Sequence, residues 1–272
     1  MIRLMVNADD FGLTDGVCSG IIRAINAGGV TATTAMVCVP GAVDRLRHWA
    51  PAIAGRIGAH LQLTSGTPVL PPERVRSLIL DDSNFPSRRK EVREPKPDEI
   101  LSEWRAQMEL LLQAGIQPTH LDSHHHIHRL PAVLPAFLEI AKQYKLPARS
   151  VDPEMTAAFR AAGVPCADAT LTDWYGGKLS AASLVEVVTE GVRKYPGAKS
   201  FELMCHPGFS GSDLERCSRY TADREQELAV LCDPALQERL AAEGFSLTSV
   251  QVATANPPVP VPRHRGNGLP VA

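Results

Sequence analysis

Ten consecutive residues, Thr119-His120-Leu121-Asp122-Ser123-His124-His125-His126-Ile127-His128, contain five of the nine histidines of this 272-residue chain, with an aspartate among them. Imidazole is the commonest protein ligand for metals, and a nearby carboxylate can fix which ring nitrogen faces the ion. Asp9-Asp10 closes an apolar stretch, where two adjacent buried carboxylates are costly without a cation or hydrogen-bond donors. One of the pair suits a metal and the other a base; the plainer reading is a pair capping the next turn. Neighbours in a strand point to opposite faces, so one aspartate must turn at the strand end for both to reach one pocket. His60 lies among small and apolar residues, where a lone histidine is more often core, but its placement on a strand beside the aspartates reads as a ligand. Within the histidine run, extended geometry groups His124, His126 and His128, whereas helical geometry pairs His124 with His128. His124 faces inward either way and is the first choice of ligand. His120 reads as core or as support for a ligand. His206 opens a tight turn, His206-Pro207-Gly208, in which the glycine allows a close backbone approach.

Elements able to position these groups follow from alternating patterns. Short β-rich runs are expected at residues 3–8, 31–39, 56–63, 119–123, 148–151, 169–173, 201–205 and 245–250. Helical patterns fall at 16–27, 98–114, 132–145, 180–195, 221–231 and 233–243, the last opening on an Asp-Pro pair that reads as an N-cap. About eight β–α units predict an α/β fold, a closed TIM-like barrel in a single domain over residues 1–255. The polar groups then gather at the C-terminal ends of the strands, where barrel active sites form. A proline-rich stretch at 67–97, after the third strand, reads as a long loop insertion or lid. The Pro/Gly-rich tail at 256–272 reads as loosely attached.

Composition removes several classes of function. With 28 basic and 30 acidic residues, the net charge of −2 gives no footprint for nucleic acid or an anionic membrane. No apolar run approaches the ~20 residues of a membrane span, and the first ten residues are unlike a secretory signal. Six scattered cysteines without a Cys-x-x-Cys pair argue against a zinc ribbon and fit buried, reduced thiols in a cytoplasmic protein.

Four segments taken in order resemble the YdjC-like carbohydrate deacetylases, with the chitooligosaccharide-type members nearest. They are Asn7-Ala8-Asp9-Asp10-Phe11-Gly12, Gly58-Ala59-His60-Leu61, the histidine run, and Glu202-Leu203-Met204-Cys205-His206-Pro207. The likeness runs from Met1 to about Val250. It implies a TIM-like barrel, one divalent metal recorded as magnesium, and hydrolysis of the N-acetyl group of acetylated amino sugars. It also implies Asp10, His60 and His124 as ligands, Asp9 as general base and His206 as catalytic acid. His128 matches the second i+4 histidine of the more distant NodB-type deacetylases and is held in reserve. Two imidazole ligands lean towards zinc, manganese or cobalt on softness, so these stand beside magnesium.

The mechanism expected is attack of a metal-activated water on the acetamide, with Asp9 taking its proton and His206 protonating the leaving amine. Arg149 is expected to bind substrate by orienting Asp9 or the oxyanion, and Trp174 or Tyr175 to stack on a sugar ring. Two rivals are a metal-dependent phosphoesterase and a non-catalytic barrel that binds metal or sugar. A homodimer is the commonest assembly for a soluble protein.

Overall fold

The computed structural model describes residues 1–80 and 83–254. Chain order is β1 (Ile2–Phe11), α1 (Asp15–Ala27), β2 (Ala32–Ala35), α2 (Ala42–Trp49), β3 (Ile57–Leu61), α3 (Pro97–Gln113) and β4 (Leu121–Ser123). It continues with α4 (Leu134–Tyr144), α5 (Pro153–Ala161), β5 (Ala169–Leu171), α6 (Ala181–Lys194), β6 (Ser200–Cys205) and α7 (Ser212–Cys217). The last elements are α8 (Ala222–Leu231), α9 (Leu236–Ala242), β7 (Phe245–Leu247) and α10 (Val250–Thr254). The tail expected at 256–272 lies outside the described residues.

All strand pairs are parallel, in the order β4-β3-β2-β1-β6-β5, with β7 pairing Ile2–Leu4 at the start of β1. Strand β1 is hydrogen-bonded along both edges and is buried from Leu4 onwards, as the centre of a parallel sheet covered by helices must be. The sheet curls into a half-barrel, which corrects the expected closed barrel. Between β4 and β5 the ladder shrinks to one bridge, Leu121 to Ala148, plus the bond Ala148 N–H to Pro165 O at 2.9 Å. The strand expected at 148–151 does not form, because Pro147 and Pro165 flank the gap and neither has an N–H to donate.

Local sequence explains the helices that carry the core. Thr14 caps α1 by accepting the N–H of Val17, and Asp152 caps α5 by accepting that of Met155, with Pro153 at the first helical position. The expected Asp-Pro cap at 233 makes only a turn, and α9 begins at Leu236. Among its described residues, the stretch between β3 and α3 is irregular apart from two single 3₁₀ turns, Pro72–Arg74 and Arg89–Glu91. It buries Val75, Leu78 and Phe85, and the Glu103 carboxylate on α3 accepts the N–H groups of Val69 and Leu70 at 2.9 and 3.0 Å. None of the six cysteines is paired; four are buried as expected, while Cys232 is half-buried and Cys217 exposed.

Candidate metal centre and active site

The strand end that carries Asp9 and Asp10 is bent. Pairing of β1 with β2 shifts register between Ala8 and Phe11, and Asp10 takes φ +70°, a left-handed conformation that aspartate tolerates better than most residues. This bulge is the turn that lets two sequence neighbours share one pocket. Both aspartates are buried.

Asp10 Oδ1 stands 3.4 Å from His60 Nε2 and 3.2 Å from His124 Nδ1, and those two nitrogens are 3.2 Å apart. Three ligand atoms each about 2 Å from one ion show one another edges of this length. The neighbours fix His60. Asp122 can only accept, so the 2.6 Å contact with Oδ1 places a proton on His60 Nδ1 and leaves Nε2 free to ligate. Thr34 Oγ1 donates to the other Asp122 oxygen at 2.9 Å. Close packing of β3 on β4 makes this possible, since a Cβ on Gly58 would lie 2.5 Å from His120 Nδ1.

A cation suits this arrangement on two counts. Asp10 Oδ1 is buried and receives no hydrogen bond, while Oδ2 accepts from Arg224 at 2.6 Å. Burial alone would lower the His60 pKa, yet Asp122, then Asp10 and Asp9, push it up to about 10. The pocket therefore favours positive charge at the atoms where a metal would bind. A second grouping, Asp9 with His60 and Asp122, is also close enough to hold an ion, but Arg149 already neutralises both of its carboxylates.

Asp9 is held quite differently. Arg149 donates from both terminal nitrogens, at 2.7 Å each, and Asn7 Nδ2 adds a bond of 2.8 Å. Burial would raise the Asp9 pKa, but Arg149 holds it well below the usual carboxylate range. Arg149 has no exposed side-chain surface and also binds Asp122 at 3.0 Å and Glu202 at 2.6 Å. Its expected contact with substrate is thereby corrected: three carboxylates enclose the guanidinium, and of the two expected roles the geometry fits the orienting of Asp9. His120 supports the same network, with Nε2 donating to Asn7 Oδ1 at 2.8 Å; burial pushes it down to about 4.

His206 Nε2 lies 3.9 Å from Asp9 Oδ2, and burial pushes the imidazole down to about 4. Gly208 does permit a close approach, but to α1, where a Cβ on Gly20 would come within 2.6 Å of its Cα. The His206 backbone N–H donates to Glu227, which also accepts from the Tyr220 hydroxyl at 2.5 Å. Tyr220 stacks on Tyr175 at 4.3 Å, and both rings stand edge-on to His206.

The histidine run is neither extended nor α-helical. A 3₁₀ turn covers His124–Arg129, with His125 and His126 at φ +55° and +50°. His124 reaches the ligand triangle, whereas His128 turns into the core, stacks on Phe137 at 4.4 Å and contacts Ser123 Oγ at 2.5 Å. His128 is therefore no part of the triangle. Trp174 is buried too, and donates Nε1 to Ser183 at 3.2 Å, which removes it from any sugar-stacking role. Tyr175 is 50% exposed and lines the cleft.

Two cavities meet at His206 and Tyr175. The larger, about 1090 Å³, is lined by Asp10, His124, Tyr220 and Arg224, with Phe85, Ser87 and Arg88 from the β3–α3 stretch. The smaller, about 560 Å³, is lined by Asp9, His60, His126, Thr172 and Met204. Arg224, Glu227 and Tyr220 escaped the sequence reading, because nothing local distinguishes them from a solvated helix face. Glu202 did leave a signal: it is a lone acid inside the apolar strand Phe201-Glu202-Leu203.

The family described as YdjC-like protein matches residues 3–242. A carbohydrate deacetylase of Geobacillus stearothermophilus is 36% identical over 248 residues, covering 89% of this chain and 94% of that protein. A chitooligosaccharide deacetylase of Serratia marcescens is 36% identical over 255 residues, covering 91% and 98%. A solved structure from Enterococcus faecalis V583 shares 31% identity and superimposes with a TM-score of 0.82, over 93% of this chain and 99% of that one.

Proposed function

Because this chain belongs to the YdjC-like family, we propose that it is a cytoplasmic, metal-dependent carbohydrate deacetylase acting on N-acetylated amino sugars of the chitooligosaccharide type. The observation that carries this reading is the triangle of Asp10 Oδ1, His60 Nε2 and His124 Nδ1, with a guanidinium-clamped carboxylate beside it. These three residues would hold one divalent cation: magnesium, as the family resemblance implies, or zinc, manganese or cobalt, which imidazole favours. Such a cation supplies Lewis acidity, acidifying water and polarising an amide carbonyl.

The chain's own groups do the rest. Arg149 keeps Asp9 ionised and aimed, and Asp9 takes a proton from the attacking water. The new C–O bond forms at the acetyl carbon and the C–N bond breaks, giving acetate and a free amine. His206 is neutral in the resting protein at pH 7, so the proton it passes to the leaving nitrogen is one gained during the reaction. Asp9 Oδ2 lies 3.9 Å from Nε2, beyond a hydrogen bond in the resting protein, and the two must close to pass that proton. Tyr175 offers the sugar an aromatic face, with the β3–α3 stretch as the opposite wall of the cleft.

The test is acetate release from N-acetylated mono-, di- and oligosaccharides by stripped protein reloaded with single metals. Turnover restored by one divalent ion is expected. Phosphate release from phosphorylated sugars without acetate release would favour a phosphoesterase, and sugar binding without any turnover would favour a binding barrel.

A further inference from the structure

His126 carries two costs that no part of the ligand triangle or the Asp9 clamp requires. Its backbone sits at φ +50° and ψ +44°, a left-handed conformation that residues with a Cβ adopt uncommonly. Its Nδ1 is buried and has no hydrogen-bond partner among the described residues. The preceding histidine bears the same strain, but its Nδ1 bonds Thr64 Oγ1 at 3.1 Å. His126 instead lines the smaller cavity beside Asp9, His60 and His206. A strained backbone and an unsatisfied ring nitrogen persist together where a missing partner supplies the compensation.

We propose that His126 is a specificity-determining residue that hydrogen-bonds a ring hydroxyl of the acetylated sugar. This rests on the deacetylase reading, and the hydroxyl follows by elimination. In that reading the carbonyl oxygen faces the cation and the nitrogen faces His206, so neither remains for His126. The methyl group cannot hydrogen-bond and fits against Met204, which lines the same cavity. Of the polar groups left on the reacting sugar ring, the ring and glycosidic oxygens only accept, whereas a hydroxyl can donate or accept and so suits Nδ1 in either tautomer.

The strain makes the role separable from a structural one. His126→Gly relieves the left-handed conformation and removes the imidazole, while His126→Asn tolerates the same conformation and keeps a shorter donor and acceptor. With N,N′-diacetylchitobiose as probe, His126→Gly should lower kcat/KM about ten-fold or more, the loss of one hydrogen bond of ordinary strength. Its metal content and Tm should not fall. His126→Asn should lie between that variant and the unaltered protein. A kcat/KM within about two-fold of the unaltered protein would overturn the proposal, as would loss of metal or a fall in Tm in both variants. Absence of acetate release from the unaltered protein on any sugar would sink the deacetylase reading itself, which is a different outcome from equal turnover in protein and variant.

Discussion

Asp9 and Asp10 are the same residue type, adjacent in sequence and equally buried, yet they sit in opposite environments. On the Asp9 side both carboxylate oxygens are bound by Arg149, itself enclosed by Asp122 and Glu202. On the Asp10 side one oxygen is held by Arg224 and the other faces two imidazole nitrogens with no donor. Chelation by a guanidinium makes a fixed carboxylate that is ionised in the resting protein. A buried oxygen that receives no hydrogen bond, with two imidazole nitrogens beside it, suits a cation's ligand. The lesson is that chemical role here is set by the second contact of each carboxylate, supplied by residues 140 and 214 positions away along the chain.

The contrast is broken most severely by His60→Ala. It removes one corner of the triangle, and metal and turnover should disappear together, by elemental analysis and acetate assay; unchanged metal content would show that the ligand set is wrong. Asp9→Asn attacks the other side, and should leave metal bound while turnover falls by about two orders of magnitude or more, as loss of a general base does. Full activity in that variant would end the division of labour between the two aspartates.

Asp122→Asn sharpens the comparison, because Asp122 touches both sides. The amide cannot enforce the His60 tautomer as a carboxylate does, so metal affinity should weaken about 10–100-fold by competition with a chelator. An affinity unchanged by this substitution would confine Asp122 to the Arg149 network. The smallest effect is on stability against pH. Asp9 titrates well below its ordinary 3.8 in the folded state, so its contribution is fully present above that value and is lost as pH falls through the folded pKa. Melting curves should show the unaltered protein losing Tm below about pH 4 and Asp9→Asn losing less over the same range. Parallel curves would mean that the clamp does not contribute to acid stability.

Much of this was legible in residue types and spacing. The β–α rhythm gave the parallel sheet, because its strands read as short apolar runs bounded by turns and helix caps. The Asp-Asp pair at a strand end signalled a pocket, since two buried carboxylates need compensation. What could not be read was the compensation itself. The histidine run suggested an aspartate fixing an imidazole, and Asp122 does so, but for His60 on the neighbouring strand. The i+4 spacing brought His128 forward as a reserve, whereas two left-handed residues between it and His124 turn its ring into the core. Trp174 and Tyr175 were indistinguishable as sugar platforms until packing buried one and exposed the other.

Amino-acid order alone determined which chemistry was available: carboxylates and imidazoles at the ends of apolar strands, a near-neutral surface, and turns that deliver those ends to one rim. Tertiary structure alone decided which oxygen is clamped, which is bare and how far the sheet closes. Backbone propensity and hydrophobic pattern act over a few residues. The partners of a buried charge are chosen by three-dimensional proximity, and the proximity of Arg149, Arg224 and Asp122 to the site exists only once the half-barrel has folded.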